Sequence, residues 1–550
     1  MKKLLTTLTI TMFAALVFSA VRPGYAADAV VGDGTPGSCT EAAFDAALAT
    51  AVVGGGTITF DCGPSEVTIP FTLAKIVLLG DVTIDGDDRV ILNANNTDRL
   101  FFAGGGITFT LREITLRDGN SLVGGGAIET SGATVILDSV RLINNYSSIS
   151  GGAIYCFDGD LTIRDSLLEN NASATGGAIY NDGCEVTITN TTFRGNEALD
   201  VGGRGGAIAN LQPGKLTIDD TVFETNEAPD GGGLFNDANS TATLGGVSFI
   251  DNKGGYGGGL ENSGTITVTD SLFVGNEVTG SGGGLWNLGG TVMLERTTVR
   301  DNTAYEGGGV NSYGATLEMT DVNIIDNLAS GSNGGGLYHG GGTAFIRNAT
   351  ISGNRATDPA ANGGGIYQNS DDNLTLTNVT LTGNEAGALG GGFYHYARYA
   401  ILTNVTIADN IAGAAGDAIY EDSPMTPAFP GVVQIANSVL FGSANNCDGG
   451  FFDSLGHNIS RGTCAPLDEA TDQDNYTGDL LVGPLAFNGG AFSMETFLPQ
   501  AGSPLIDAAD PALCPALDQR GVARVDACDI GAVEYEPPGP GVLYLPVAIR

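Results

Sequence analysis

The chain has 550 residues, 85 of them glycine, and a formal net charge of −39 at pH 7. So acidic a surface repels nucleic acid and anionic lipid, which excludes both as partners, and it attracts divalent cations. Charged residues are only 15% against 42% hydrophobic, which excludes an acidic disordered chain.

In chain order, residues 1–26 read as a secretory signal: Lys2 and Lys3 begin it, Leu4 to Val21 form its apolar stretch, and Gly24-Tyr25-Ala26 is a small-x-small cleavage site. Its removal loses Lys2, Lys3 and Arg22 and no acid, so the net charge goes from −39 to −42. No later segment offers about twenty apolar residues, so the mature chain is expected to be secreted or held at a cell surface, without a membrane span.

All eight cysteines follow the signal: Cys39, Cys62, Cys156, Cys184, Cys447, Cys464, Cys514 and Cys528. They fall into four near neighbours in order, without C-x-x-C spacing, which suits disulfides in an oxidising compartment. Residues 27–118 read as an N-terminal cap and first irregular coils. Ser38 and Glu41 form a candidate capping box before a short helix over 42–51, placed over the first coil.

Residues 119–441 repeat one phrase about every 26 residues. An apolar stretch closes on Asn144, Asn171, Asn196, Asn226, Asn252, Asn276, Asn302, Asn327, Asn354, Asn384 or Asn410; a loop follows, then Gly-Gly and a small residue, from Ala127 and Ala153 to Gly365 and Gly392. Eight residues before each Asn stands an aliphatic residue: Ile136, Ile163, Ile188, Ile218, Leu244, Val268, Leu294, Met319, Ile346, Leu376 or Leu402. Alternation as in Gly264-Thr-Ile-Thr-Val-Thr-Asp270 marks strands with one buried face. Gly-Gly serves turns with positive φ, and each Asn is expected to take the left-handed region and bond to the Asn of the next coil.

The repeat therefore predicts an all-β fold, a right-handed parallel β-helix of thirteen or fourteen coils and about 65 Å. Leucine-rich repeats need a helical or comparable convex segment after their Asn, where this chain has seven to eleven Gly-rich residues. Residues 442–535 read as a loop-rich, disulfide-stapled end, and 536–550 as a Pro/Gly linker with a short apolar tail.

Two sets of phrases carry a family resemblance. Gly-Gly-Ala-Ile179 and Phe193-Arg-Gly-Asn196 resemble the repeats of polymorphic outer membrane proteins. Gly502-Ser-Pro-Leu-Ile-Asp507, Asp518-Gln-Arg-Gly521 and Cys528-Asp-Ile-Gly-Ala-Val-Glu534 resemble the choice-of-anchor Q domain of bacterial surface proteins. The resemblance implies an exported β-helix with an anchoring tail and no established catalytic residues. The tail has neither LPxTG nor a long apolar span.

Catalytic signals are sparse. Asn96-Thr97-Asp98 resembles one motif of galacturonan hydrolases, but Gly456-His457-Asn458 is not GHG and no RIK exists. Asp87-Asp88, Asp219-Asp220 and Asp371-Asp372 point to opposite faces if they lie on strands. Asp85 to Asp88 and Asp468 to Asp479 are the densest acid stretches; they allow structural Ca²⁺ without matching a known loop, and no other cofactor is expected. The Thr162, Thr187, Thr217, Thr243 and Thr267 column is similar to ice-binding arrays, but Met293, Glu318 and Phe345 break it.

The candidate ligand site is a double column after the Gly-Gly step. Trp286, Tyr338, Tyr367, Tyr394 and Tyr420 form an aromatic run, with Phe235 further up, and His339, Gln368, His395 and Glu421 follow one residue later in a column that begins Asn181, Asn210, Asn236, Asn262, Asn287. The aromatics form either a platform for sugar rings or a ladder that stabilises stacking; in the second case the polar column is an inward ladder with two satisfied histidines. The count from the Gly-Gly step to the next Asn holds at seventeen to nineteen, whereas from the Asn to the Gly-Gly step it ranges from seven to eleven; Glu197 to Gly205 and Arg355 to Asn362 are the longest such loops and are candidates for ligand contact. The expected function is non-catalytic binding of an extracellular glycan, matrix component or protein partner. The alternatives are a polysaccharide lyase or hydrolase and a purely structural rod. Nothing in the sequence specifies an oligomeric state.

Overall fold

The computed structural model describes residues 27–537, apart from 212, 370–371, 424–430, 491 and 526. The expected signal at 1–26 and the tail from 538 onward lie outside the described residues, as does Asp371.

The chain winds into a right-handed parallel β-helix of about 16 turns. At about 4.8 Å per turn the rod is about 75 Å long. Two or three more turns form than the repeat spacing predicts, because irregular segments at both ends also wind. In one coil, strand Leu260–Asn262 joins a 15-stranded sheet, strands Thr265–Thr269 and Leu272–Val274 join a 28-stranded sheet, and strand Glu277–Val278 joins a 12-stranded sheet. The long sheet bends at Asp270, whose φ is 52°.

Register explains the sequence columns. Ile266 pairs beside Val292 and Val268 beside Leu294, and all four point inward and are buried. One expected register is corrected at the first coil. Leu137 pairs with Ile163, so Leu137 and not Ile136 enters the core, and the ladder begins at Asn145 and not Asn144. The left-handed residue is also displaced by one from the expectation. Gly195, Thr225, Asp251, Gly275 and Asp301 take the positive φ, and the Asn after each turns inward. There each amide donates to its neighbour, as from Asn226 Nδ2 to Asn252 Oδ1 at 2.9 Å and from Asn252 Nδ2 to Asn276 Oδ1 at 3.0 Å. Three residues before these Asn, Phe193, Phe223, Phe249 and Phe273 stack at 4.7–4.9 Å between ring centroids.

Helix Glu41–Gly54 packs on the first coils through Phe44, whose ring lies 4.9 Å from that of Phe71. Its cap is Thr40, not Ser38: Thr40 Oγ1 accepts from Ala43 N at 3.2 Å. Glu41 cannot close the expected box because it accepts from Lys75 Nζ at 2.6 Å and from Thr72 N at 2.9 Å. The cysteines pair in chain order, Cys39–Cys62, Cys156–Cys184, Cys447–Cys464 and Cys514–Cys528. Such bonds suit an exported protein.

The carboxyl end is more than a terminal plug. Cys447–Gly449, Phe452–Ser454 and Ile459–Ser460 wind a last coil, after which the chain folds back along the long sheet. Asp510 N donates to Asn437 Oδ1 at 2.8 Å, Asn404 Nδ2 to Asp529 O at 3.0 Å, Asn378 Nδ2 to Leu517 O at 2.8 Å, Gln519 Nε2 to Thr350 Oγ1 at 2.8 Å, and Asn323 Nδ2 to Ser493 O at 2.8 Å. The strap thus crosses five coils. Buried pairs hold it: Arg520 Nη2 to Asp518 Oδ2 at 2.8 Å and Arg524 Nη1 to Glu534 Oε2 at 3.1 Å.

Candidate functional site: a groove on the outer face of the 15-stranded sheet

Strand alternation sends Leu260 and Asn262 inward and Glu261 outward. The inward file is hydrogen-bonded from Asn181 through Asn210, Asn236 and Asn262 to Asn287 at 2.7–2.9 Å. His339, Gln368, His395 and Glu421 continue this file inside the coil and are buried. They therefore lie on the opposite face of their strands from Tyr338, Tyr367, Tyr394 and Tyr420, and cannot share a ligand with them. Nor are the histidines fully satisfied: both His339 ring nitrogens and His395 Nε2 have no hydrogen-bond partner. Burial pushes His339 down to about 4. Burial raises Glu421, but hydrogen bonds from His395, Ser423 and the Phe451 amide outweigh it and hold the carboxyl below its ordinary value.

The tyrosines point outward, yet Tyr338, Tyr367 and Tyr394 are only 8%, 8% and 4% exposed. Their rings cover one another, with centroids 4.9 Å and 5.0 Å apart, and Tyr420 follows at 5.9 Å. Stacked faces leave only edges to a ligand. Tyr394 donates its hydroxyl to Asp422 Oδ2 at 2.6 Å, and burial with that carboxylate raises its pKa. This part of the column is a stabilising ladder.

Further toward the N-terminus the same column carries different chemistry. Its floor runs Phe235, Glu261, Trp286, Asn311, each beside the next in parallel register. A rim column precedes it where the chain turns through Gly-Gly: Arg204 pairs with Asp230, Asp230 with Tyr256, and Ser281 with Glu306. Glycine is needed at this turn. Gly231 has φ 66°, and a Cβ there would sit 2.5 Å from Leu234 O. Arg204 and Tyr256 lean over the floor residue of the following coil, whereas Glu306 is bonded by Asn311 of its own coil. The Arg204 guanidinium lies 4.6 Å from the Phe235 ring centroid, and the Tyr256 ring stacks on Trp286 at 4.5 Å.

Glu261 is the unusual member. It is 3% exposed, its Oε2 has no hydrogen-bond partner, and it stands between Phe235 and Trp286. Burial pushes its carboxyl up to about 9; neighbouring Asp230 adds to this and Arg204 opposes it. Burial also raises Asp230 and Glu306. Asn311 Nδ2 donates to Glu306 Oε2 at 3.3 Å and Ser332 Oγ to Glu306 Oε1 at 3.1 Å. The far wall bears Leu288, Tyr313 and Tyr396, 39%, 54% and 41% exposed.

Of the sequence candidates, Trp286 belongs to this part of the column, and the loop Glu197 to Gly205 reaches it through Arg204. Asn362, from the second long loop, stands on the rim and accepts from Leu389 N at 3.1 Å. Glu261, Asp230 and Tyr256 are additions. The available signal was Glu261 itself, a lone carboxylate in register between Phe235 and Trp286. Among the described residues no three His, Cys, Asp or Glu side chains converge as a metal site, the Asp85–Asp88 and Asp468–Asp479 stretches included. No described helix is long and apolar enough to cross a membrane.

A family model described as a right handed beta helix region matches residues 127–304, about a third of the chain. No curated protein matches. Among solved structures, the chain is similar to a mutant of the periplasmic alginate epimerase AlgG, at 8% identity and a TM-score of 0.31, over 71% of this chain and 84% of that one. It is also similar to the A-module of the mannuronan C-5 epimerase AlgE6 of Azotobacter vinelandii, at 14% identity and a TM-score of 0.22, over 78% and 99%. Likeness at this level transfers neither a site nor an activity.

Proposed function

We propose that the protein is an exported bacterial surface β-helix that binds an extended glycan along the outer groove of its 15-stranded sheet, as an adhesion or retention module. The observation that carries this reading is the Tyr256–Trp286 stack on an open rim, with Tyr256 41% exposed. Tyr313 and Tyr396 continue aromatic surface along the same face, and from Tyr256 to Tyr396 the groove advances five coils, about 24 Å. Aromatic faces and edges beside carboxyl and amide groups suit sugar rings, which present C–H faces and equatorial hydroxyls. The disulfides, the signal-like leader and the resemblance to choice-of-anchor Q proteins support export to a cell surface.

The test is retention of the purified exported protein on immobilised neutral and acidic polysaccharides, with and without Ca²⁺, scoring new reducing or unsaturated ends in the same wells. Retention that falls when Tyr256→Ala and Trp286→Ala are combined, without product, is expected. Retention unchanged in that variant would move the site elsewhere, and any product would replace adhesion by catalysis.

A further inference from the structure

We infer that Glu261 is the polar anchor of an uncharged sugar subsite in this groove, donating a hydrogen bond from its carboxyl group to a sugar hydroxyl beside Trp286. The inference rests on the glycan reading above and names the chemistry of one subsite. Three independent features meet at this residue. Its Oε2 is buried without a partner, and a buried unpaired oxygen is costly unless something completes it. Its neighbours in the column are Phe235, itself buried, and Trp286, whose side chains offer no hydrogen-bond acceptor. The rim places Asp230 next to it, with Arg204 opposing, while Tyr256 stands over the following position.

The charged and titratable groups facing Glu261 are therefore Asp230 and Arg204 on the rim, with Tyr256 beside them. Asp237 lies beyond Arg204, 3.9 Å from its Nη1, and Glu306 two rim positions on. Arg204 is already engaged, its guanidinium over Phe235. Burial and Asp230 push Glu261 up to about 9, so at neutral pH the carboxyl carries its proton. A neutral carboxylic acid is both donor and acceptor, which matches a sugar hydroxyl. A uronate carboxylate would instead meet Asp230, and like charges in a partly dry site repel strongly. The subsite therefore selects neutral polymers over polyuronates.

The experiment measures affinity of the full exported protein for a soluble neutral glucan, mannan and xylan and for alginate and polygalacturonate, from pH 7 to 9.5. Wild type, Glu261→Gln, Glu261→Ala and Trp286→Ala are compared, with thermal unfolding as a check on folding. The expected result is binding of at least one neutral polymer and neither polyuronate, with wild-type affinity falling as pH rises toward 9.5 and the proton is lost. Glu261→Gln keeps the donor and flattens that profile, while Glu261→Ala weakens binding about tenfold at pH 7. Glu261→Ala binding as wild type while Trp286→Ala fails would sink the subsite and leave the groove reading intact. If neither variant matters, the groove reading falls as well. Equal affinity for polyuronates, or a Glu261→Gln profile that still falls with pH, would also overturn the inference.

Discussion

Asn252→Ala tests the physical basis of the repeat. The Asn252 side chain makes four hydrogen bonds inside the coil. Its Oδ1 accepts from Asn226 N at 3.0 Å and from Asn226 Nδ2 at 2.9 Å, and its Nδ2 donates to Phe223 O at 2.9 Å and Asn276 Oδ1 at 3.0 Å. Alanine removes all four and strands the Asn226 backbone N–H and one of its side-chain amide hydrogens in a dry interior. Asn276 Oδ1 keeps its bond from the Asn252 backbone amide at 3.0 Å. At about 1 kcal/mol for each lost bond, plus the desolvation of the stranded groups, the cost is about 4–7 kcal/mol. Because each coil contacts only its neighbours, that cost is local. Native-state hydrogen exchange read by mass spectrometry is the right assay. Protection is expected to collapse over coils 226–276 and persist near residues 135 and 400. A loss below about 1.5 kcal/mol, or a uniform loss along the rod, would refute the reasoning.

Other consequences follow from the same structure. His339 is held down to about 4 from an ordinary 6.5, so the unfolded chain takes up a proton first as pH falls. Stability from this site is fully present above about 6.5 and is expected to decline as pH drops toward 4, a decline that His339→Gln should remove in urea titrations. In the strap, Asp529 has the opposite sign. Burial pushes it up to about 6, so the folded state binds the extra proton and the strap should be more protease-resistant at pH 4.5 than at pH 7. Arg524→Ala leaves Glu534 buried and unpaired and is expected to release residues 480–537 to limited proteolysis while the coils stay intact.

The sequence by itself determined the coil. A 26-residue period, aliphatic columns at fixed distance from Asn, and Gly-Gly at the corner admit few windings, because a period-2 strand must bury one face and only stacking provides it. It also indicated the disulfide partners, since the cysteines fall into four near neighbours in chain order. One-residue shifts escaped it: Asn145 replaces Asn144, and the left-handed residue precedes each ladder Asn, because local sequence does not reveal which of two adjacent polar residues turns inward. Thr40 likewise displaced Ser38 as the cap because Glu41 was drawn to Lys75, a contact across 34 residues. Only the tertiary structure separated His339, Gln368, His395 and Glu421 from the tyrosines beside them, and closed the Tyr338–Tyr394 faces by stacking. Only it brought Arg204, Asp230 and Tyr256 over Phe235, Glu261 and Trp286, and folded the Asp518–Glu534 motif back along the long sheet. Those outcomes depend on how a rim in one coil leans over the floor of the next, which is set by the rise and corner angle of the stack and has no counterpart within a single repeat.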